Sequence, residues 1–275
     1  MVFINKEEIT QGVLDDASVF IVATPKEKFT ETEFNALKGF LDGGGAVLVT
    51  LGEGGEKSFE TNINYLLEEY GIMINNDSVV RTHYYKYFHP KECLIPNGVL
   101  NRGIAKFVGK DSKKDFASCF SFVYPFGATL NTAKPAVPIL STGPASWPLN
   151  RPVCAFTTLT PTSKSKLGGR ICVIGSGHVF SDKYIDKEEN GTLLQIVMGF
   201  LTNPNELELN SLDVENPEVF PPRFLDLGPP ALELYDLQEE FYSEVSRLSQ
   251  TANKVLSSSL KNRDGDLDKR PQASF

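Results

Sequence analysis

Val19-Phe-Ile-Val-Ala23 and Ala46-Val-Leu-Val-Thr-Leu51 are short, continuous apolar runs of the kind found in buried strands, and they decide the fold. Between them, Thr30-Glu-Thr-Glu33 fits a capping box, in which the threonine and the glutamate satisfy the first amides of a helix. Gly43-Gly-Gly45 ends that helix, because glycine adopts the cap conformation at little cost. A strand, a helix and a strand in this order predict a right-handed βαβ unit of a parallel sheet.

The chain after the second of these strands continues to alternate between helices and strands. A second helix is predicted over 59–70, two further strands over 152–157 and 170–175, and a last helix over 190–201. Strands that alternate with helices indicate an α/β domain with helices on both faces. We therefore expect a Rossmann-like, doubly wound, mostly parallel sheet over residues 1–203.

The remaining residues have a different composition. Residues 204–230 contain six prolines and many acids, and this predicts an extended linker. Residues 231–260 follow with a heptad pattern typical of an amphipathic helix, and 261–275 are predicted to be a disordered tail. The helix is expected to bind a partner, to self-associate or to fold back on the α/β domain. The apolar positions of the heptad are Leu234, Leu237, Phe241, Val245, Leu248, Ala252 and Val255. Within it, the partner-binding residues are predicted to be Leu237, Phe241, Val245 and Leu248.

The charges exclude some partners. The chain has a net charge of −8, which divides into −1 through Pro204 (20 basic, 21 acidic) and −7 from Asn205 onward (7 basic, 14 acidic). Neither part offers a basic face for phosphates, so no nucleic acid partner is expected.

No apolar run reaches the roughly 20 residues of a membrane span, and the first residues do not resemble a secretory signal. Four cysteines without a CxxC pair indicate reduced thiols in a cytosolic compartment.

Gly52-Glu-Gly-Gly-Glu-Lys-Ser58 lies where phosphate-binding loops lie, after a strand and before a helix. Glu56 stands where a P-loop has glycine, and Lys57 stands where a dinucleotide-binding fingerprint has its third glycine. Glu53 and Glu56 would also repel a phosphate. The loop is therefore predicted to be a tight turn, and no cofactor is expected.

Two further groups suggest chemistry but fail on spacing. Ser176, His178 and Asp182 have the residue types of a catalytic triad, yet a triad is normally assembled from separated segments. His83, His89 and Cys93, with His178 as a fourth ligand, match no strong zinc pattern. The sequence therefore predicts no catalytic, cofactor-binding or metal-binding residues, and the chain is not expected to be an enzyme.

Several longer segments, taken together and in this order, closely resemble the intraflagellar transport protein 52 family, over residues 15–218 and again over 219–254. They are Leu51-Gly-Glu-Gly-Gly-Glu56, Thr61-Asn-Ile-Asn-Tyr-Leu-Leu-Glu-Glu-Tyr-Gly-Ile-Met73, Tyr87-Phe-His-Pro-Lys-Glu92, Phe122-Val-Tyr-Pro-Phe-Gly-Ala-Thr-Leu130, Pro148-Leu-Asn-Arg-Pro152, Phe180-Ser-Asp182, Asp186-Lys-Glu-Glu-Asn190 and Val219-Phe-Pro-Pro222.

The resemblance implies a subunit of the intraflagellar transport B complex, which builds cilia and moves cargo along them. It implies an amino-terminal α/β domain of the GIFT type without a catalytic site, and a role as a scaffold in the cytoplasm and in the cilium, at its base and axoneme. The implied partners are other B-complex subunits. A 46-kDa-class subunit would pair with the carboxy-terminal domain, and helical-repeat subunits would take up the family's central stretch.

The chain departs from the family pattern in ways that imply a shortened version. The family has a further strand and helix upstream of Val19, and without them the sheet is expected to have an exposed edge. The central docking stretch is absent between Pro217 and Phe220, and the carboxy-terminal domain departs from the family after its first helix. The alternative reading is an α/β domain that binds a sugar-like molecule or hydrolyses its substrate. That reading requires Glu53, His178 and Asp182 to meet in one cleft.

Overall fold

The computed structural model describes residues 4–5, 7–82, 86–110, 116–161, 167–203, 207–209 and 213. The predicted helix over 231–260 with its contact residues Leu237, Phe241, Val245 and Leu248, and the predicted tail over 261–275, lie outside these residues. Within the described part of the chain, no helix is long and apolar enough to cross a membrane.

The strands, in chain order, are β1 (Val19–Ala23), β2 (Ala46–Thr50), β3 (Ile72–Ile74), β4 (Val80–Arg81), β5 (Glu92–Ile95), β6 (Phe122–Pro125), β7 (Leu130–Thr132), β8 (Val137–Ser141), β9 (Ser146–Trp147), β10 (Pro152–Thr158) and β11 (Arg170–Ile174). The α-helices are α1 (Gln11–Leu14), α2 (Glu31–Asp42), α3 (Gly55–Phe59), α4 (Asn64–Leu67), α5 (Arg102–Phe107) and α6 (Asn190–Thr202). Short 3₁₀ turns cover Glu68–Tyr70, Phe116–Ser118 and Gly177–Phe180.

The main sheet has five strands in the order β1-β2-β11-β10-β8. β2 is parallel to both β1 and β11, as expected, but β10 runs antiparallel to both β11 and β8. The prediction of a mostly parallel, doubly wound sheet is therefore wrong, and the sheet is mixed. The link between β10 and β11, residues 159–169, is shorter than the dozen or more residues that a parallel crossover needs.

The helix between the first two strands forms as predicted. The Glu33 backbone N–H donates to Thr30 Oγ1 (3.3 Å), and the Thr30 N–H donates to Glu33 Oε2 (2.9 Å), which completes the capping box. The same glutamate accepts from the N–H of Ile9 (3.3 Å), so it also ties the amino-terminal segment to α2. The helix ends at Asp42 and is followed by Gly43 as its cap. The left-handed conformation expected at the glycines is taken by Gly44, at φ 89°.

The helix predicted over 59–70 is interrupted. α3 ends at Phe59, the next residue Glu60 has a left-handed φ of 54°, and α4 begins at Asn64. The Glu56 carboxylate accepts from the Asn64 N–H (2.6 Å), and the Asn64 amide exchanges two hydrogen bonds of 2.9 Å with the main chain of Ile74. The bond to Glu56 favours the break, because in one continuous helix the backbone N–H of Asn64 would instead donate to the carbonyl four residues earlier. The last helix, predicted over 190–201, is confirmed as α6.

The sheet is covered on both faces by apolar side chains. α2 packs Leu37 and Leu41, both fully buried, on one face. α6 covers the other face, where the rings of Phe156 and Phe200 stack with centroids 4.1 Å apart. The four cysteines are free and buried within this domain. Burial raises the pKa of Cys93 to about 12 and that of Cys119 to about 11.

The described residues that follow α6 pack on the domain. Leu207 is 5% exposed and belongs to the core on the α6 face. The Asp213 carboxylate accepts from the backbone N–H of Arg102 (2.7 Å) and lies 3.4 Å from its Nε. These residues fall in the range predicted for the linker, whose boundary at residue 204 stays a prediction.

The two outer strands of the sheet have different neighbours. The outer side of β8 is covered by residues 98–100: the Leu100 N–H donates to the Ile139 carbonyl (2.9 Å), and the Ser141 N–H donates to the Gly98 carbonyl (2.7 Å). β1 pairs with β2 on its inner side, and no other described strand pairs with it. The sheet therefore has one covered edge and one open edge within the described residues.

Candidate functional site

The carboxyl ends of the parallel strands β1, β2 and β11 meet at one edge of the sheet, which is where open α/β sheets bind ligands. We call the loops there, residues 51–54, 126–128 and 175–178, the carboxyl-edge loops. They are joined by main-chain bonds: the Gly177 N–H donates to the Leu51 carbonyl (2.6 Å), and the Glu53 N–H donates to the Phe126 carbonyl (3.0 Å). The loops thus form one connected surface that brings together several of the candidate residues.

Glu53 is held by two neighbours from other segments. Its Oε2 accepts from the Ser78 hydroxyl (2.9 Å) and lies 3.1 Å from the Lys91 ammonium, whose side chain is 7% exposed. Such a partly buried, hydrogen-bonded ion pair fixes the carboxylate in place. The arrangement makes Glu53 a link between the loop after β2 and the segments around Ser78 and Lys91.

Ser176 and His178 lie close in sequence but engage different groups. The Ser176 side chain is fully buried, and its hydroxyl donates to the Pro125 carbonyl. The His178 ring packs edge-on against Phe126, with centroids 5.7 Å apart. A serine nucleophile needs its hydroxyl directed to the histidine base, so these bonds do not form the relay of a triad.

Asp182, the third member of the group, is exposed and makes no hydrogen bond or ion pair with any residue that the structure describes. Glu53 and His178, by contrast, are both next to Phe126 in the carboxyl-edge loops. The structure thus associates two of the three residues that the ligand-binding alternative requires, and neither of them forms a hydrogen bond or an ion pair with Asp182.

The histidine and cysteine residues considered as metal ligands are also engaged elsewhere. His89 Nδ1 accepts from the Lys91 N–H (3.1 Å), and burial lowers the pKa of this imidazole. The Cys93 thiol donates to the Val79 carbonyl (3.4 Å) in the core. His83 lies outside the described residues. Among those described, no three His, Cys, Asp or Glu side chains form a group that could hold a metal ion.

A buried polar network that sequence reasoning missed lies beside these loops. Asp77 is fully buried, and its two carboxylate oxygens accept from the N–H (2.8 Å) and the hydroxyl (2.7 Å) of Thr129. Burial raises the pKa of Asp77, while the bonds to Thr129 and the charge of Arg151 act in the opposite direction. The signal available was the polar triplet Asn75-Asn-Asp77 directly after the apolar strand β3.

An open groove of about 790 Å³ lies near the ends of β1 and β2. Its charges alternate in sign, so it selects neither an anion nor a cation. The half-buried carboxylate of Glu56, whose pKa is raised by burial, is used to accept from the Asn64 N–H. The titratable group of the groove whose pKa is shifted is therefore already engaged in holding the turn before α4. It is lined by Lys26, Glu27, Lys28, Glu56, Lys57, Glu60, Thr61 and Asn76.

The class of domain follows from comparison with known families. A sequence model described as the IFT52 GIFT domain matches residues 1–215, a range that contains every residue the structure describes. The mixed sheet and its loops are therefore those of a GIFT-type α/β domain. With this match over most of its length, the chain belongs to the intraflagellar transport protein 52 family.

Relatives and a solved structure agree with this assignment. Intraflagellar transport protein 52 homologs of Mus musculus and Homo sapiens are 40% and 41% identical to this chain over 338 aligned residues. The alignments cover 90% of this chain and 78% and 76% of the relatives. A solved structure described as the mmIFT52 N-terminal domain is 54% identical, with a TM-score of 0.66, covering 72% of this chain and 82% of that one. Since the alignments are longer than the 275 residues of this chain, the relatives contain residues that it lacks.

Proposed function

We propose that this chain is a non-catalytic scaffold subunit of the intraflagellar transport B complex, and that it serves cilium assembly and ciliary cargo transport through contacts with other proteins. The observation that carries the proposal is the family match over residues 1–215, together with homologs that align with 90% of the chain. Those homologs are named as transport proteins and not as enzymes. The proposed location is the cytoplasm and the cilium, at its base and axoneme.

The geometry of the carboxyl-edge loops supports a structural role for this domain. Groups that could have acted chemically are used to hold segments together: the Ser176 hydroxyl binds a main-chain carbonyl, and Glu53 joins Ser78 and Lys91. A scaffold needs a rigid body of this kind, because contacts that are already ordered cost less entropy when a partner binds.

The proposed partners are other subunits of the B complex. The heptad segment over 231–260 is proposed to pair with the 46-kDa-class subunit through Leu237, Phe241, Val245 and Leu248. Helical-repeat subunits are proposed as further partners, although the family's central docking stretch is absent between Pro217 and Phe220. No nucleic acid, cofactor or inserted membrane segment is part of the proposal.

Co-purification of the full chain with B-complex subunits, with and without residues 231–275, tests this function. We expect retention that depends on this segment. Phe241→Asp should abolish retention, because it places a charge in the apolar seam, and Ser243→Asp, which adds the same charge outside the seam, should not. Retention without 231–275 would move the contact to the α/β domain. Absence of retention in every form would contradict the scaffold function.

A further inference from the structure

A buried arginine begins β11, the middle strand of the main sheet. Arg170 is 5% exposed and lies opposite Ala46 of β2 and Thr158 of β10. Side chains alternate between the two faces of a strand, and Cys172 and Ile174 belong to the core under α6, so Arg170 lies on that same face. Its side chain is therefore at the amino end of the sheet, at the opposite end of β11 from the carboxyl-edge loops.

The guanidinium of Arg170 has no partner in the part of the chain that the structure describes. Its Nε and Nη1 are fully buried and make no hydrogen bond. The third nitrogen, Nη2, makes none either, but it is not fully buried, so the guanidinium opens to the surface at this nitrogen. Buried donors without acceptors are rare in proteins, because each one loses its bonds to water and gains none in return.

A second buried arginine shows what is missing at this position. Arg151 is also 5% exposed, but its Nη2 donates to Asn131 Oδ1 (3.3 Å). Burial lowers the pKa of Arg151, and the Asp77 carboxylate acts in the opposite direction. Burial also lowers the pKa of Arg170, where no carboxylate acts against it. Arg170 is thus a buried cation without an anion beside it in the described residues.

The described acids that follow α6 are paired elsewhere. Asp213 Oδ1 lies 3.4 Å from Arg102 Nε, and Glu208 Oε2 lies 3.5 Å from the Lys106 ammonium. Neither acid forms an ion pair with Arg170. A guanidinium binds a carboxylate through two parallel N–H···O bonds, and Nε and Nη2 on one side of Arg170 are both available for them.

We propose that Arg170 binds a carboxylate of a partner protein, the side chain of an aspartate or glutamate in an acidic segment that docks at the amino end of the sheet. The carboxylate enters from the side of Nη2 and supplies the acceptors that the free chain lacks. A nucleic acid phosphate is not the occupant, because the net charge of −8 repels such a polymer. This contact rests on the proposed scaffold function, to which it adds a contact on the α/β domain.

Thermal unfolding of the full chain tests whether Arg170 is unpaired when no partner is present. Arg170→Met removes the charge and keeps most of the volume, so it should raise the unfolding midpoint by about 5 °C. Arg151→Met is the matched control and should lower the midpoint by about 10 °C, because Asp77 then stays buried without its cation. An unchanged or lower midpoint for Arg170→Met would overturn the proposal, since the free chain would already pair this side chain.

Titration of purified B-complex subunits against the full chain tests the contact itself. Arg170→Met should weaken binding at least about ten-fold, because the carboxylate of the partner would be buried without a donor. Arg102→Met removes an arginine that is 58% exposed, and this control should bind as the wild type does.

Carbodiimide crosslinking of the same mixture identifies the carboxylate. In Arg170→Lys, the new amine should be joined to an aspartate or glutamate of a partner subunit, and mass spectrometry of the linked peptides locates it. Lys106 and Glu208, which are both exposed, provide the internal positive control.

The outcomes separate this contact from the scaffold function. Binding that Arg170→Met leaves unchanged, or a crosslink from Arg170→Lys only to acids of this chain, would overturn the contact and leave the scaffold function intact. Absence of binding by the wild-type chain would contradict both.

Discussion

The two edges of the main sheet differ although their strands are similarly apolar. β8 (Val-Pro-Ile-Leu-Ser) is covered by residues 98–100, which bond to Ile139 and Ser141. β1 (Val-Phe-Ile-Val-Ala) has the composition of an inner strand, yet no described residue covers its outer side. Whether a strand is protected thus depends on segments far from it in sequence, and the two edges should respond differently to the same substitution.

The largest expected contrast comes from truncating one isoleucine at each edge. Ile139 is fully buried in β8, so Ile139→Ala should lower the free energy of unfolding by about 3 kcal/mol through lost burial and a cavity. Ile21 is 51% exposed in β1, and Ile21→Ala should cost less than about 1 kcal/mol. Urea unfolding of both variants measures the difference. Equal losses would mean that the edge at β1 is covered in solution.

A glycine in the covering segment tests how closely that segment must approach β8. A Cβ added at Gly98 would lie 2.6 Å from the Ser141 carbonyl oxygen and 2.6 Å from Ile95 Cγ2. Gly98→Ala should therefore destabilise the fold by about 2 kcal/mol, because the cover must shift from the edge. Gly12 has open space around it, so Gly12→Ala is the control and should be neutral or slightly stabilising. A neutral Gly98→Ala in the same unfolding assay would contradict a close cover.

The capping box stabilises the start of α2, the helix that follows the open-edge strand β1. Thr30→Ala removes the side chain that accepts from the Glu33 N–H and should cost about 1 kcal/mol. Thr30→Ser retains the hydroxyl, and serine caps helices at least as well as threonine, so this substitution should change stability by no more than about 0.3 kcal/mol. Thermal unfolding measures both, and equal effects of the two substitutions would show that the lost methyl group, and not the cap, is responsible.

The smallest expected effect is a change of pH dependence at Glu33. The hydrogen bond from the Thr30 backbone N–H is the main cause that holds the pKa of this carboxyl below its usual value, and the bonds from the Ile9 N–H and the Thr30 hydroxyl act in the same direction. Its contribution to stability is therefore present above the unfolded-state pKa of about 4.3 and is lost as pH falls through the lower folded-state pKa. Glu33→Gln should cost about 0.5 kcal/mol at pH 7 and nothing near pH 2. Unfolding curves at both pH values measure this, and a constant difference would contradict it.

Local signals predicted the first βαβ unit well. Two apolar runs and a capping box specify β1, α2 and β2 through contacts within 33 residues of sequence, from Val19 to Leu51. The direction of β10 could also have been predicted, because the link to β11 over 159–169 is too short for a crossover helix. The apolar runs alone could not show this, since buried parallel and antiparallel strands have the same composition.

The candidate site was harder to predict because its contacts are long-range. The bond from Ser176 to the Pro125 carbonyl joins residues 51 positions apart, and no spacing rule reports it. Asp77 bonds to Thr129 across 52 positions, and for the same reason it was not singled out. For Ser176 and His178, the spacing predicts that they do not form a relay, because a triad is normally assembled from separated segments. In the structure, the Ser176 hydroxyl is directed to the Pro125 carbonyl.

The buried cysteines give the domain a way to report its own opening. Only a thiolate reacts readily with alkylating reagents. Burial keeps all four thiols out of contact with solvent, and it raises the pKa of Cys93, Cys119 and Cys172. In the folded chain each thiol is therefore inert, and its labelling must wait for a local or global opening. Mass-resolved alkylation would time these openings at three places without any substitution: at Cys93 in β5, at Cys119 beside a 3₁₀ turn, and at the neighbouring Cys154 and Cys172 in the paired strands β10 and β11.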